Sequence, residues 1–120
     1  MTITTVTLSP EGSGFMREKQ IEQKLIRAVK SRDGICPKLV SPGMDGMPDR
    51  LVLLPGARIG FVEVKAPGQK PRKLQLLRHR ILRGLGFKVY VLDDPAQIPG
   101  ILDGIGGQNG KRDPDEGRHD

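Results

Sequence analysis

Residues 49–54, DRLVLL, and residues 58–65, RIGFVEVK, are two apolar runs separated by Pro55-Gly56. Side chains alternate faces along a strand, so Leu51 and Leu53 point one way and Val52 and Leu54 the other, as Phe61 does against Val62 and Val64. A sheet with apolar groups on both sides has to be covered on both sides. The pattern therefore favours an α/β sandwich over an open antiparallel sheet with one wet face. The Pro-Gly turn joins the two runs as a hairpin.

The covering elements are visible on either side. Between Arg17 and Arg32, Ile21, Leu25, Ala28 and Val29 recur at helical spacing, and RDG closes the segment with a glycine. A second helix starts near Pro71, carries the stripe Leu74, Leu77, Ile81 and Leu85, and stops at Gly84 and Gly86. ICPKLV (35–40) and FKVYVL (87–92) read as further strands, giving four in all, and SPGMDGMP (41–48) as a loop. DDPAQIPGILDGI adds a short last helix. Residues 1–16 form an N-terminal extension with a strand-like Thr/Ile/Val start, 17–103 one domain, and 104–120 a polar, glycine-rich tail predicted to be disordered. A chain of 120 residues suffices for one such core.

Twenty lysines and arginines against 14 acids, with a pI near 9.8, make polyanions the first class of partner and an anionic membrane surface a weaker one. The four aromatics, Phe15, Phe61, Phe87 and Tyr90, are too few for base-stacking platforms, so the charge is expected to meet a phosphate backbone. Cys36, the lone cysteine, rules out an intramolecular disulfide. No signal-peptide or membrane-span pattern is present, and a reducing, cytoplasmic setting is the expectation.

Charges interrupt the apolar pattern at three places. With Ile21 at zero, the first helix's apolar arc runs from roughly −20° to 140°, and Glu18 at about 60° and Glu22 at about 100° fall inside it. Ile59, Phe61, Glu63 and Lys65 share one face of their strand, which turns from core to charge halfway along. Asp49, fixed by Pro48 before it, opens a strand that is otherwise hydrophobic. Each has a plain explanation, respectively an acid that reaches water at the end of a buried face or pairs with an arginine, a strand-end ion pair and a turn aspartate. Taken together they point elsewhere: in an antiparallel hairpin around Pro55-Gly56 the start of one strand meets the end of the other, so Asp49 and Glu63 become neighbours. Carboxylates converging with a lysine suit phosphodiester hydrolysis with a hard divalent cation, which also explains why like charges would be kept together.

In order, a helix glutamate, Gly46-Met47-Pro48-Asp49, Glu63-Val64-Lys65 and Gln75 resemble the PD-(D/E)XK nucleases, and specifically the VRR-NUC family of phage and bacterial proteins. The likeness covers roughly residues 17–94. It implies a restriction-endonuclease-like α/β sandwich with a central mixed four-stranded sheet flanked by helices. It also implies Mg²⁺ or Mn²⁺ held by Asp49, Glu63 and the Val64 carbonyl, Lys65 as the catalytic lysine, and no small-molecule cofactor. Of the two helix acids Glu22 fits the family spacing to Leu25 and to the helix-ending glycine better, with Glu18 the second choice. Gln75 would orient the lysine side or touch the substrate backbone. Asp33 stands where relatives tend to have a second glycine.

Lys70, Arg72, Lys73 and Arg78, with Arg80 and Arg83 beyond them, lie close in sequence to these residues and suit backbone phosphates, although a solvated helix face would look the same. No readout element for base sequence is apparent. The expectation is a structure-selective DNA endonuclease acting on branched DNA such as Holliday junctions, in phage or prophage replication, recombination or repair within a bacterial cytoplasm. Small members of the family resemble junction resolvases, which implies a homodimer. The alternatives are a non-catalytic basic DNA-binding module, a flap- or nick-directed nuclease, and a restriction-type enzyme.

Overall fold

A computed structural model of the chain describes residues 17–107; the strand-like start of 1–16 and the tail from 108 lie outside the described residues. The order is α1 (Glu18–Ser31), β1 (Arg50–Leu54), β2 (Arg58–Val64), α2 (Lys73–Gly84), β3 (Lys88–Leu92), a 3₁₀ turn (Pro95–Gln97) and α3 (Ile98–Gly106). The sheet order is β1-β2-β3, with β1 antiparallel to β2 and β2 parallel to β3, so α2 is the crossover helix of a β-α-β unit.

Helices lie on both faces of the sheet, as its two-sided apolar pattern requires. On one face Ile21, Leu25 and Val29 of α1 and Ile98, Ile101, Leu102 and Ile105 of α3 pack on Val52, Leu54, Val62, Val64 and Leu92. Ile105 is buried, so the ordered domain runs past residue 103, and the expected tail boundary at 104 falls inside α3. On the other face a smaller cluster joins Leu82 of α2 to Phe61 and Val89, with Leu39, Met47 and Leu51 against it.

Two helix ends close in the same way. At α1, Asp33 N–H donates to Lys30 O and Gly34 N–H to Val29 O; at α2, Gly86 N–H donates to Arg83 O and Phe87 N–H to Leu82 O. The left-handed residue at α2's end is Gly86 (φ 100°), but at α1's end it is Asp33 (φ 64°). Gly34 has a different task, since a Cβ there would overlap Leu53 O on the neighbouring strand.

Two expectations are corrected. The described residues form a three-stranded sheet; segment 35–40 runs along β1 but touches it only through isolated bridges, Ile35 to Leu53 and Lys38 to Arg50. Pro37 is the reason. Ile35 and Leu39 donate to Leu53 O and Asp49 O, whereas Pro37, between them, accepts from Leu51 N–H and has no hydrogen to give back. The second correction concerns α2, whose stripe of Leu74, Leu77, Ile81 and Leu85 is 39–69% exposed, while Gln75, His79 and Leu82 face the sheet.

Candidate active site

The hairpin register pairs Arg50 with Val62, so Asp49 lies opposite Glu63 at the next step. Alternation directs both carboxylates to the face that α2 covers. Asp49 Oδ2 accepts the Val64 N–H at 2.8 Å, which fixes the aspartate against the strand end. Lys65 N–H donates to Leu92 O, and its Nζ stands 3.7 Å from Glu63 Oε2.

Glu63 is 1% exposed, and a carboxylate so buried needs partners. α2 supplies two. Gln75 Nε2 donates to Oε2 at 2.8 Å, and His79 Nε2 lies 3.2 Å from Oε1. Gln75 also accepts the Arg72 N–H on its own Oε1 at 2.8 Å, capping the start of α2. One amide therefore ties the helix terminus to the carboxylate. This explains the rotation of α2: the sheet face it covers ends in an acid, so the helix meets it with a polar pair, and its leucine stripe turns outward.

Burial, and next the negative charge of Asp49, push the Glu63 carboxyl up to about 7; Lys65 pulls against both. Burial likewise raises Glu18, with Asp49 again the next cause and the charges of Lys65 and Lys38 opposing. His79 is shifted down, by burial first and then by Arg83 and Lys65. A buried carboxyl whose proton affinity is raised further by a neighbouring acid forms, with that acid, a donor set that a hard cation would relieve. Among the described residues no group of three or more His, Cys, Asp or Glu is gathered to hold an ion. One or two carboxylates with water completing the shell is the usual protein share for Mg²⁺, and Asp49 with Glu63 meets it.

The two helix acids separate cleanly. Glu22 takes a hydrogen-bonded ion pair from Arg50 Nε at 2.8 Å, and Arg50 Nη1 continues to Cys36 O. Glu18, in the first turn of α1, is the one whose charge bears on Asp49, Glu63 and Lys65. The family spacing preferred Glu22, and the facing strand carries Arg50 beside it. Of the basic residues, Lys70, Arg72 and Lys73 are exposed at the start of α2, while Arg78 Nε is spent on Asp45 O of the 41–48 loop. His79 went unnoticed in the sequence. Its signal was there, one helical turn after Gln75 on the same face.

Fold and site together define an α/β nuclease domain. A protein called "Putative nuclease p44", from Acyrthosiphon pisum secondary endosymbiont phage 1, is 53% identical over 79 residues, spanning 66% of this chain and 85% of that one. A solved structure described as a VRR_NUC domain superposes with a TM-score of 0.67 at 31% identity, over 72% of this chain and 94% of the other. No family sequence model matches. The chain belongs to the VRR-NUC family of nucleases.

Proposed function

We propose that this nuclease is a metal-dependent endonuclease that hydrolyses phosphodiester bonds in branched DNA. The observation that carries the reading is the buried Glu63, gripped by Gln75 and set beside Asp49 and Lys65 at the end of a hairpin. Asp49, Glu63 and the Val64 carbonyl would hold Mg²⁺ or Mn²⁺, with Glu18, not Glu22, the acid contributed by α1. Such an ion, when bound, supplies Lewis-acid polarisation of the phosphoryl oxygen and an acidified water.

The chain's own groups do the rest. Lys65 presents an ammonium beside Glu63, where it can donate to the attacking water or to a phosphate oxygen and offset charge as it develops. The Val64 N–H holds Asp49, and Gln75 holds Glu63, so neither carboxylate has to be ordered when substrate arrives. Lys70, Arg72 and Lys73 extend a basic run from the site along the start of α2, suited to backbone phosphates and blind to base sequence.

Preference for branched DNA accords with that lack of base readout, and a homodimer would present two sites to opposed strands. The outward stripe Leu74, Leu77, Ile81 and Leu85 supports a dimer: it runs about 16 Å along the helix, with Arg78 at its edge, and can meet its own antiparallel copy across a two-fold axis. The phage source of the relative agrees with a role in phage or prophage replication, recombination or repair in a bacterial cytoplasm. No helix among the described residues is long and apolar enough to cross a membrane.

Labelled four-way junction, flap, nicked and linear duplex DNA, incubated with Mg²⁺, Mn²⁺ or EDTA, test the reading beside Glu63→Ala and Lys65→Ala. Metal-dependent cutting of the junction, lost in both variants, is expected. Cutting that survives EDTA or both substitutions overturns the mechanism, and cutting of linear duplex alone overturns the substrate class.

A further inference from the structure

His79 is 1% exposed on the inner face of α2, and its Nδ1 has no hydrogen-bond partner. An imidazole buried with one nitrogen unmet is a poor way to fill space, and an aliphatic side chain would pack there without that penalty. Its polar contact is with Glu63 Oε1, at 3.2 Å. With a carboxylate as acceptor, Nε2 carries the hydrogen, and Nδ1 is left as a bare lone pair, which a protein interior tolerates better than an orphaned N–H.

Resting on the nuclease reading above, we propose that His79 is a positioning residue: its Nε2–H fixes one oxygen of Glu63 while Gln75 fixes the other, so that the carboxylate's plane is set before the cation or the DNA arrives. The two donors come from one helix, four residues apart, and each has its own anchor. Gln75 is tied to the Arg72 N–H at the helix start, and His79 lies three residues before Leu82, which seats α2 on Phe61 and Val89. A carboxylate gripped on one oxygen alone can rotate about its last bond; gripped on both it cannot. Outer-shell donors of this kind govern metal affinity and turnover through the ligand they hold.

The geometry distinguishes two conservative replacements. A glutamine amide nitrogen reaches the position of the imidazole Nε2, whereas an asparagine amide nitrogen reaches only that of Nδ1. The full chain is compared as wild type, His79→Gln, His79→Asn and His79→Leu. The readouts are calorimetric binding of Mn²⁺ alone, kcat and KM on whichever DNA the wild type cuts, and thermal melting in EDTA to establish folding. The expected result is that His79→Gln stays within about 3-fold of wild type, while His79→Asn and His79→Leu lose roughly 10- to 100-fold in Mn²⁺ affinity and in kcat with KM for DNA little changed. If His79→Leu does not fold, the contrast between glutamine and asparagine decides. Folded Asn and Leu variants that match wild type, or a Gln variant as impaired as Asn, overturn the inference and leave the nuclease reading standing. A wild type that neither binds Mn²⁺ nor cuts any DNA overturns both.

Discussion

Replacing Glu63 by glutamine should stabilise the metal-free protein at pH 8. The folded carboxyl titrates at about 7 against 4.5 for a free glutamate, with burial the main cause and Asp49 the next. Its folded pKa is raised, so between pH 4.5 and 7 the folded state binds more protons than the unfolded one, and stability falls as pH rises through that window. At about 1.36 kcal/mol per unit, the ionised Glu63 burdens the fold by about 3 kcal/mol at pH 8 and by less than about 1 kcal/mol at pH 5. Glutamine mimics the protonated form. Its oxygen can accept from Gln75, and its amide can donate to His79 once that ring moves its hydrogen to Nδ1, which then becomes an unmet donor costing about 1 kcal/mol. The net gain is about 2 kcal/mol at pH 8 and close to zero at pH 5. For a domain of this size that is roughly 6–12 °C in Tm.

Melting of wild type and Glu63→Gln in EDTA across pH 5–8 checks this. His79, shifted down by burial, is uncharged at pH 8 in both proteins, so the comparison at that pH isolates the charge of residue 63. Added Mn²⁺ should then raise the Tm of wild type more than that of the glutamine variant, because the variant has lost one of the two carboxylates proposed to hold the cation. A variant less stable than wild type at pH 8 in EDTA refutes the reasoning, as does a gain of equal size at pH 5 and pH 8.

Three further outcomes follow from particular contacts. Glu22→Gln breaks the ion pair with Arg50 and should destabilise by about 1 kcal/mol with little change in turnover, whereas Glu18→Gln should leave stability nearly unchanged and lower kcat at least 10-fold; urea melts and cleavage rates separate the two. Asp33→Gly relieves a left-handed non-glycine residue at the end of α1 and should raise stability by about 0.5–1 kcal/mol in a urea melt, a loss counting against the assigned helix end. Leu77→Glu with Ile81→Glu puts charge in the outward stripe of α2; sedimentation should report a dimer for the parent and a folded monomer for the variant, and a monomeric parent or an unchanged dimer counts against this stripe as the interface.

How much of this was legible depended on whether a residue's surroundings are local in sequence. The hairpin was, because period-two alternation and a Pro-Gly turn fix its register, and register alone makes Asp49 and Glu63 neighbours. The interruption of segment 35–40 was legible in principle from Pro37, a residue that cannot donate to a ladder. The different surroundings of Glu18 and Glu22 were not, since the two lie about 40° apart on one helix and the arginine paired with Glu22 belongs to another element.

The rotation of α2 is the most instructive failure. Helical periodicity locates an apolar arc but does not say that this arc meets the core, and on α2 the neighbouring arc, with Gln75, His79 and Leu82, does so instead. Burying four leucine-type side chains against the sheet would have gained more apolar area. That packing would also have left Glu63 inside the protein with neither Gln75 nor His79, and a buried carboxylate left with only Lys65 at 3.7 Å outweighs the gain from a partly buried stripe. The acid in β2 thus dictates the orientation of a helix that begins ten residues later, and the stripe is released to the surface. A local rule broken at one element is accounted for by a polar residue on another, which is where functional sites depart from an otherwise consistent pattern. The same acid that marks the site in the sequence is therefore the physical cause of both the grip that α2 holds on it and the exposed apolar face of that helix.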